Sequence, residues 1–153
     1  MGRLGKAART LARRIRRVKV LLVSADPKMR QQMAVSVASV ERALGVEVTF
    51  LEASDGLEGI ARTRRDLPEV VVAEESSSHA GAFALAKDLR GAAEPYTGGI
   101  VILLDRTQDW WLAQWSGADA WFTKPVDPFA LADTVIGLVQ RNRTPEMQSK
   151  ETA

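Results

Sequence analysis

The sequence predicts an alternating α/β domain built on a parallel sheet, and three observations carry that prediction. Short apolar runs recur at 18–24, 46–51, 70–73, 100–104 and 120–123, several of them rich in Val and Ile. Between them lie stretches with helical apolar spacing, most of them bounded by Gly, Pro or a capping Asp. No internal repeat or low-complexity segment competes with the alternation. Strands separated by helix-length segments imply parallel pairing, with crossover helices covering both faces of the sheet. The 153 residues, 46% of them hydrophobic, supply one domain plus tails.

Each element has its own justification. Residues 3–17 are expected to form a helix, with Leu4, Ala7, Ala8, Leu11, Ala12 and Ile15 on one stripe. Arg3, Lys6, Arg9, Arg13, Arg16 and Arg17 fall on its other face. The run VKVLLVS then reads as a buried strand, ended by Ala-Asp-Pro, a helix start with Pro in its first turn. Helical spacing through Met29, Met33, Val37, Val40 and Leu44 closes at Gly45. A second strand, VEVTFL, precedes Ser54-Asp55-Gly56, which opens a helix with Leu57, Ile60 and Ala61 inward until Pro68 breaks the chain. VVVA is a third buried strand, followed by a polar loop and a helix over about 82–90. IVILL is a fourth strand, 107–116 a short helix and 120–123 the fifth strand. Asp127 caps a last helix with Phe129, Leu131, Val135, Leu138 and Val139 inward. This divides the chain into a basic extension (1–17), a domain (18–141) and a polar, flexible tail (142–153).

Composition and charge narrow the function. The chain has no cysteine, so disulfides, thiolate metal sites and a thiol nucleophile are excluded; this suits a reducing compartment, and the cytoplasm is the expected location. No apolar run approaches the roughly 18 residues of a membrane-spanning helix. The net charge of +2 hides a segregation. Eight Lys/Arg and no acid occupy residues 1–19, leaving 13 basic residues against 19 acids in the remainder, a net of −6. The arm therefore suits an anionic partner, its own body included, with Arg9, Arg13, Arg16 and Arg17 as contacts. Nucleic acid and a membrane surface are the less favoured partners, since no helix-turn-helix accompanies the arm. No P-loop or Gly-x-Gly-x-x-Gly is present. His79, the one histidine, has no second histidine or cysteine to share a metal with, and no nucleophile elbow accompanies Ser76, Ser77 and Ser78.

The strand ends place Ser24-Ala25-Asp26, Ala53-Ser54, Glu74-Glu75, Leu104-Asp105 and Lys124 along one edge of the sheet, where sites in such folds gather. At that edge the chain resembles a known family. VKVLLVSADPKMR, LEASDGLEGI, DLPEVVVAEE and above all GADAWFTKPVDPFAL are similar to the receiver domain of bacterial response regulators, over about residues 18–140. The resemblance implies a flavodoxin-like (βα)5 sheet in the order 2-1-3-4-5. It puts the acidic pocket on Ser24, Ala25 and Asp26, the phosphoacceptor on Glu74, the switch hydroxyl on Asp105, the aromatic switch on Trp121 and the pocket lysine on Lys124, followed by Pro125.

The departures from the pattern matter more than the matches. Phosphoryl transfer to a carboxylate relies on Mg²⁺ bridging phosphate and protein oxygens, and Ser24 and Ala25 supply no carboxylate. Glu74 is longer than aspartate by one methylene, about 1.5 Å. Lys124 is therefore expected to pair with Glu74 or Asp105. The expected protein is a degenerate, stand-alone response regulator in two-component signalling, phosphorylation-independent, not an enzyme and without metal or cofactor. Its partners would be a histidine kinase, an output protein or a second copy. Trp111 and Trp115, four residues apart on a helix, and Trp121 mark the partner face, on a receiver's fourth helix and fifth strand. The alternatives are a conventional phosphoaccepting regulator, which would need Mg²⁺, and an adaptor that binds anionic surfaces through its arm.

Overall fold

The computed structural model describes residues 17–76 and 81–152. The expected basic helix, with Arg9, Arg13 and Arg16, and the loop residue His79 lie outside the described residues. Five strands form one parallel sheet: β1 (Arg17–Val23), β2 (Glu47–Ala53), β3 (Val70–Glu75), β4 (Gly99–Leu104) and β5 (Ala120–Thr123). Their order is β2-β1-β3-β4-β5, the flavodoxin-like order. The helices are α1 (Pro27–Val37), α2 (Ser39–Leu44), α3 (Gly56–Asp66), α4 (Ala82–Gly91), α5 (Trp110–Ser116) and α6 (Pro128–Thr152), with a 3₁₀ turn at Thr107–Asp109 before α5. Among the described residues no helix is long and apolar enough to cross a membrane.

Strand alternation makes two cores from one sheet. Val18, Val20 and Leu22 of β1, Val70 and Val72 of β3, and Val101 and Leu103 of β4 face one side. There they meet Met33, Val37, Val40, Leu131 and Val135 from α1, α2 and α6. Leu21, Val23, Val71, Ala73, Ile100 and Ile102 face the other side, against Leu85 and Leu89 of α4 and Ala113 of α5. The period-2 pattern of strand side chains thus turns nearly continuous apolar runs into two buried faces.

Four local readings need correction. The stretch 27–44 is two helices. Ser36 and Ser39 hydroxyls bond the carbonyls of Gln32 and Ser36, and the Glu41 amide bonds Ala38 at 3.2 Å, an i→i+3 tightening that interrupts the α ladder. Leu57, expected inward, is 82% exposed, and Ala61, expected inward with it, is exposed as well, because the face α3 buries carries Gly59 and Thr63. Phe129, expected inward, is 80% exposed, in the first turn of α6, while Leu131 and Val135 carry the packing. The last helix continues to Thr152, beyond the boundary expected near 141.

Candidate functional site

The sheet reverses direction of winding between β1 and β3, which are neighbours with connections leaving to opposite sides. The crevice at the carboxyl ends of such strands is the usual site of an open α/β sheet. Four neighbouring strands deliver its groups. Ser24 follows β1, its amide bonded to Ala53 O at 3.1 Å. Glu74 lies within β3, in register with Leu103. Asp105 follows β4, and Lys124 follows β5, with its amide on Leu104 O at 2.8 Å. The Lys124–Pro125 peptide is cis.

These four side chains converge. The Lys124 ammonium donates to Glu74 Oε2 at 2.7 Å and is ion-paired with Asp105 Oδ1 as well. The other Glu74 oxygen accepts the Ser24 hydroxyl at 2.9 Å. Ser24 Oγ in turn accepts the Asp26 amide at 3.0 Å. Lys124 and Glu74 are largely buried, with 18% and 12% of their side chains exposed, whereas Asp105 is at the rim. Burial of the ammonium pushes the Lys124 pKa down. Its hydrogen bonds to Asp105 and Glu74, and their negative charges, outweigh that, so it is held above the ordinary lysine value.

The acidic-pocket positions do not fit a divalent cation. Ala25 has no donor atom. Asp26 is the N-cap of α1, its Oδ1 accepting the Lys28 amide at 2.9 Å. Both Glu74 oxygens are engaged by donors of its own chain. Among the described residues no three His, Cys, Asp or Glu side chains are grouped to hold a metal ion.

Other expected site residues lie apart. Trp111 and Trp115 stand on the outer face of α5, 55% and 57% exposed, and Trp110 beside them is 49% exposed. The Lys87 ammonium of α4 sits 4.3 Å from the Trp115 ring centroid, a cation–π contact. Trp121 is half-buried in β5 against the α4–α5 core. Arg17, expected in the arm, opens β1 and faces Glu47 of β2 at 3.4 Å. Two residues were not anticipated. Arg30 reaches back from α1 to Ser24 O at 2.6 Å and to Glu52 at 3.2 Å, bracing the loop that carries Ser24. Its place one helical turn after Asp26 was the available signal. Glu75 accepts the amides of Gly81 and Ala82 at 2.7 and 2.8 Å, capping α4 from a distance no sequence spacing announces.

An uncharacterized response regulatory protein of Mycobacterium tuberculosis (strain ATCC 25618 / H37Rv) is 30% identical over 94 residues, covering 61% of this chain and 70% of the relative. The chain belongs to the response-regulator receiver family. Its counterpart in M. tuberculosis strain CDC 1551 / Oshkosh matches equally. No family model matches the chain. Among solved structures, the receiver domain of a Francisella response regulator superposes with a TM-score of 0.66 at 25% identity, over 82% of this chain and 98% of that one. The receiver domain of the M. tuberculosis response regulator NarL gives 0.67 at 16%, covering 81% and 97%. Vibrio cholerae chemotaxis protein CheY4 gives 0.63 at 24%, covering 79% and 98%. A receiver belongs to two-component signalling and is in general a signalling module, not a catalyst. Receivers as a class meet histidine kinases or output domains.

Proposed function

We propose that this receiver signals without phosphoryl transfer, its switch site held in one state by its own ion pair. Glu74 occupies the phosphoacceptor position, and Lys124 takes it as counter-ion where a receiver's lysine takes a phosphate. The observation that carries this reading is the engagement of both Glu74 oxygens, one by Lys124 and one by the buried Ser24. An incoming phosphoryl group would have to displace one of these donors. It would also bring negative charge beside Asp105, in a pocket whose residues do not suit a divalent ion. Two like charges 4 Å apart near a protein surface repel by about 4 kcal/mol. In-line transfer further demands close placement of the attacking oxygen, which the extra methylene of Glu74 shifts by about 1.5 Å.

In this reading the domain uses no metal and no cofactor and performs no catalysis. It acts through protein contact at the face carrying Trp111, Trp115 and Trp121, toward a histidine kinase or an output protein. The exposure of Trp111 and Trp115 supports that choice of face, since aromatic side chains anchor interfaces well.

Incubation with acetyl phosphate and Mg²⁺, followed by intact mass and peptide mapping, tests the reading. The native chain is expected to remain unmodified. A rebuilt variant, Ser24→Asp/Ala25→Asp/Glu74→Asp, serves as the responsive control. An Mg²⁺-dependent adduct mapped to Glu74 or Asp26 of the native chain would falsify the proposal in favour of a conventional phosphoacceptor.

A further inference from the structure

A second concavity lies at the opposite end of the sheet from the switch site. It encloses about 910 Å³ at the foot of β3 and β4, between the carboxyl-terminal ends of α3 and α4 and the middle of α6. Leu67, Pro68, Leu89, Ala92, Pro95 and Tyr96 give it an apolar lining. Leu67, at its rim, is 69% exposed and holds a left-handed φ of 48°. A bulky residue in that conformation at the surface is uncommon and strained. Four charged side chains also line the cavity. Its two arginines face carboxylates outside the lining, Arg64 toward Asp88 and Arg141 toward Asp119. Glu69 and Glu94 are the acidic part of the lining.

The chain's own amino-terminal segment emerges beside this cavity. β1 begins at Arg17, while its pairing with β3 begins only at Val20 opposite Val70. The start of β1 therefore overhangs the foot of β3 by three residues, about 10 Å. The Glu69 amide bonds Lys19 O at 2.9 Å, so the cavity wall and the exit of the arm are adjacent strands. Sixteen residues precede Arg17. They reach about 24 Å even if wholly helical, enough to cover the cavity mouth. Their sequence matches what the cavity offers. Leu11 and Ile15 provide apolar side chains, and Arg9, Arg13, Arg14 and Arg16 provide positive charge, while residues 17–153 hold 15 basic side chains against 19 acids, a net of −4.

We propose that residues 1–16 dock on their own domain, seating Leu11 and Ile15 in the cavity at the foot of β3 and β4 with the arm's arginines toward Glu69 and Glu94. The arm is then an intramolecular cover, and its apolar stripe is not available to a membrane surface. Burial of two large aliphatic side chains favours the docked arm, and its attachment to β1 already reduces the entropy lost when it docks.

The chain lacks cysteine, so Thr10→Cys, off the apolar stripe, gives one attachment point for a nitroxide on the full chain. The amides of Leu67, Ala92 and Tyr96 are expected to lose intensity, with those of Asp105 and Lys124 unaffected. The loss should vanish in the same labelled chain carrying Leu11→Glu and Ile15→Glu. A mixture of labelled, isotope-free chain with unlabelled ¹⁵N chain should show no loss. Broadening in that mixture would mean docking between two copies and would overturn the proposal. So would an absence of selective broadening, or broadening that the vesicles of an added phosphatidylglycerol suspension abolish by capturing the native arm.

Discussion

Removing the Lys124 ammonium strands Glu74, which is 12% exposed and would keep only the Ser24 hydroxyl as donor. Lys124→Met is therefore expected to cost about 2 kcal/mol, the loss of a charged hydrogen bond with a buried partner left behind, read as a lowered urea midpoint. Glu74→Gln keeps an acceptor for Ser24 and leaves Asp105 to pair with Lys124, so its cost should be smaller, about 1 kcal/mol. The pH dependence has a definite sign. Lys124 has its folded pKa raised, so its contribution is complete below the unfolded lysine value of about 10.4 and is lost as pH rises through the folded value. Burial also pushes the Tyr96 hydroxyl upward, with Arg90 opposing and Asp119 and Glu69 assisting, so it too withdraws stability above about pH 10. Thermal melts of native and Lys124→Met chains between pH 8 and 11 should therefore converge at the alkaline end, and Tyr96→Phe should isolate the tyrosine's share. A gap that widened with pH would contradict the pairing. The meeting of Lys124 with Glu74 and Asp105 was legible at this scale because all three stand at strand ends. Arg30 and Glu75 were not, since each acts on backbone groups that only the folded loop brings near.

Helix ends and close approaches decide the elements. Asp55 caps α3 by accepting the Glu58 amide at 2.8 Å, and Glu58 accepts the amide of Ser54, one residue before the cap, at 3.0 Å, a variant of the capping box. Asp55→Ala should cost about 1 kcal/mol, measured by chemical denaturation. Gly59 lets α3 sit close to α4 and β1: a Cβ there would stand 2.6 Å from Leu85 Cδ1 and 3.1 Å from Val23 Cγ2. Gly59→Ala gains about 1 kcal/mol of helix propensity, yet overpacking against a fully buried Leu85 costs about 1–3 kcal/mol. Net destabilisation is the expected result, and a stabilised variant would show that the α3–α4 contact is looser than it stands. Strands were readable from apolar runs because both faces of the sheet are covered. Inward helical positions were less so. Leu57 and Phe129 sit in first turns, away from the packed stripe, and apolarity alone does not distinguish such a position from a buried one.

At the scale of the whole molecule, one parallel sheet separates two ends with different work. The carboxyl end gathers Ser24, Glu74, Asp105 and Lys124 across four neighbouring strands, and the amino end carries the large cavity beside the start of β1. The topology was legible because alternation of strands and helices leaves few arrangements, and the resemblance at residues 117–125 selected one of them. Which tryptophans face outward was not legible, because a short α5 displays Trp110, Trp111 and Trp115 while Trp121 leans on the core. The central claim is that an internal lysine–glutamate pair stands where other receivers bind phosphate and metal. A crystal structure grown with Mg²⁺ and beryllofluoride, a phosphoryl mimic, tests it most directly. Lys124 Nζ is expected to remain within hydrogen-bonding distance of Glu74 Oε2, with no fluoride or metal density at that carboxylate. Beryllofluoride bonded to Glu74, with Mg²⁺ beside Asp26 and Lys124 turned toward the fluorides, would contradict the account.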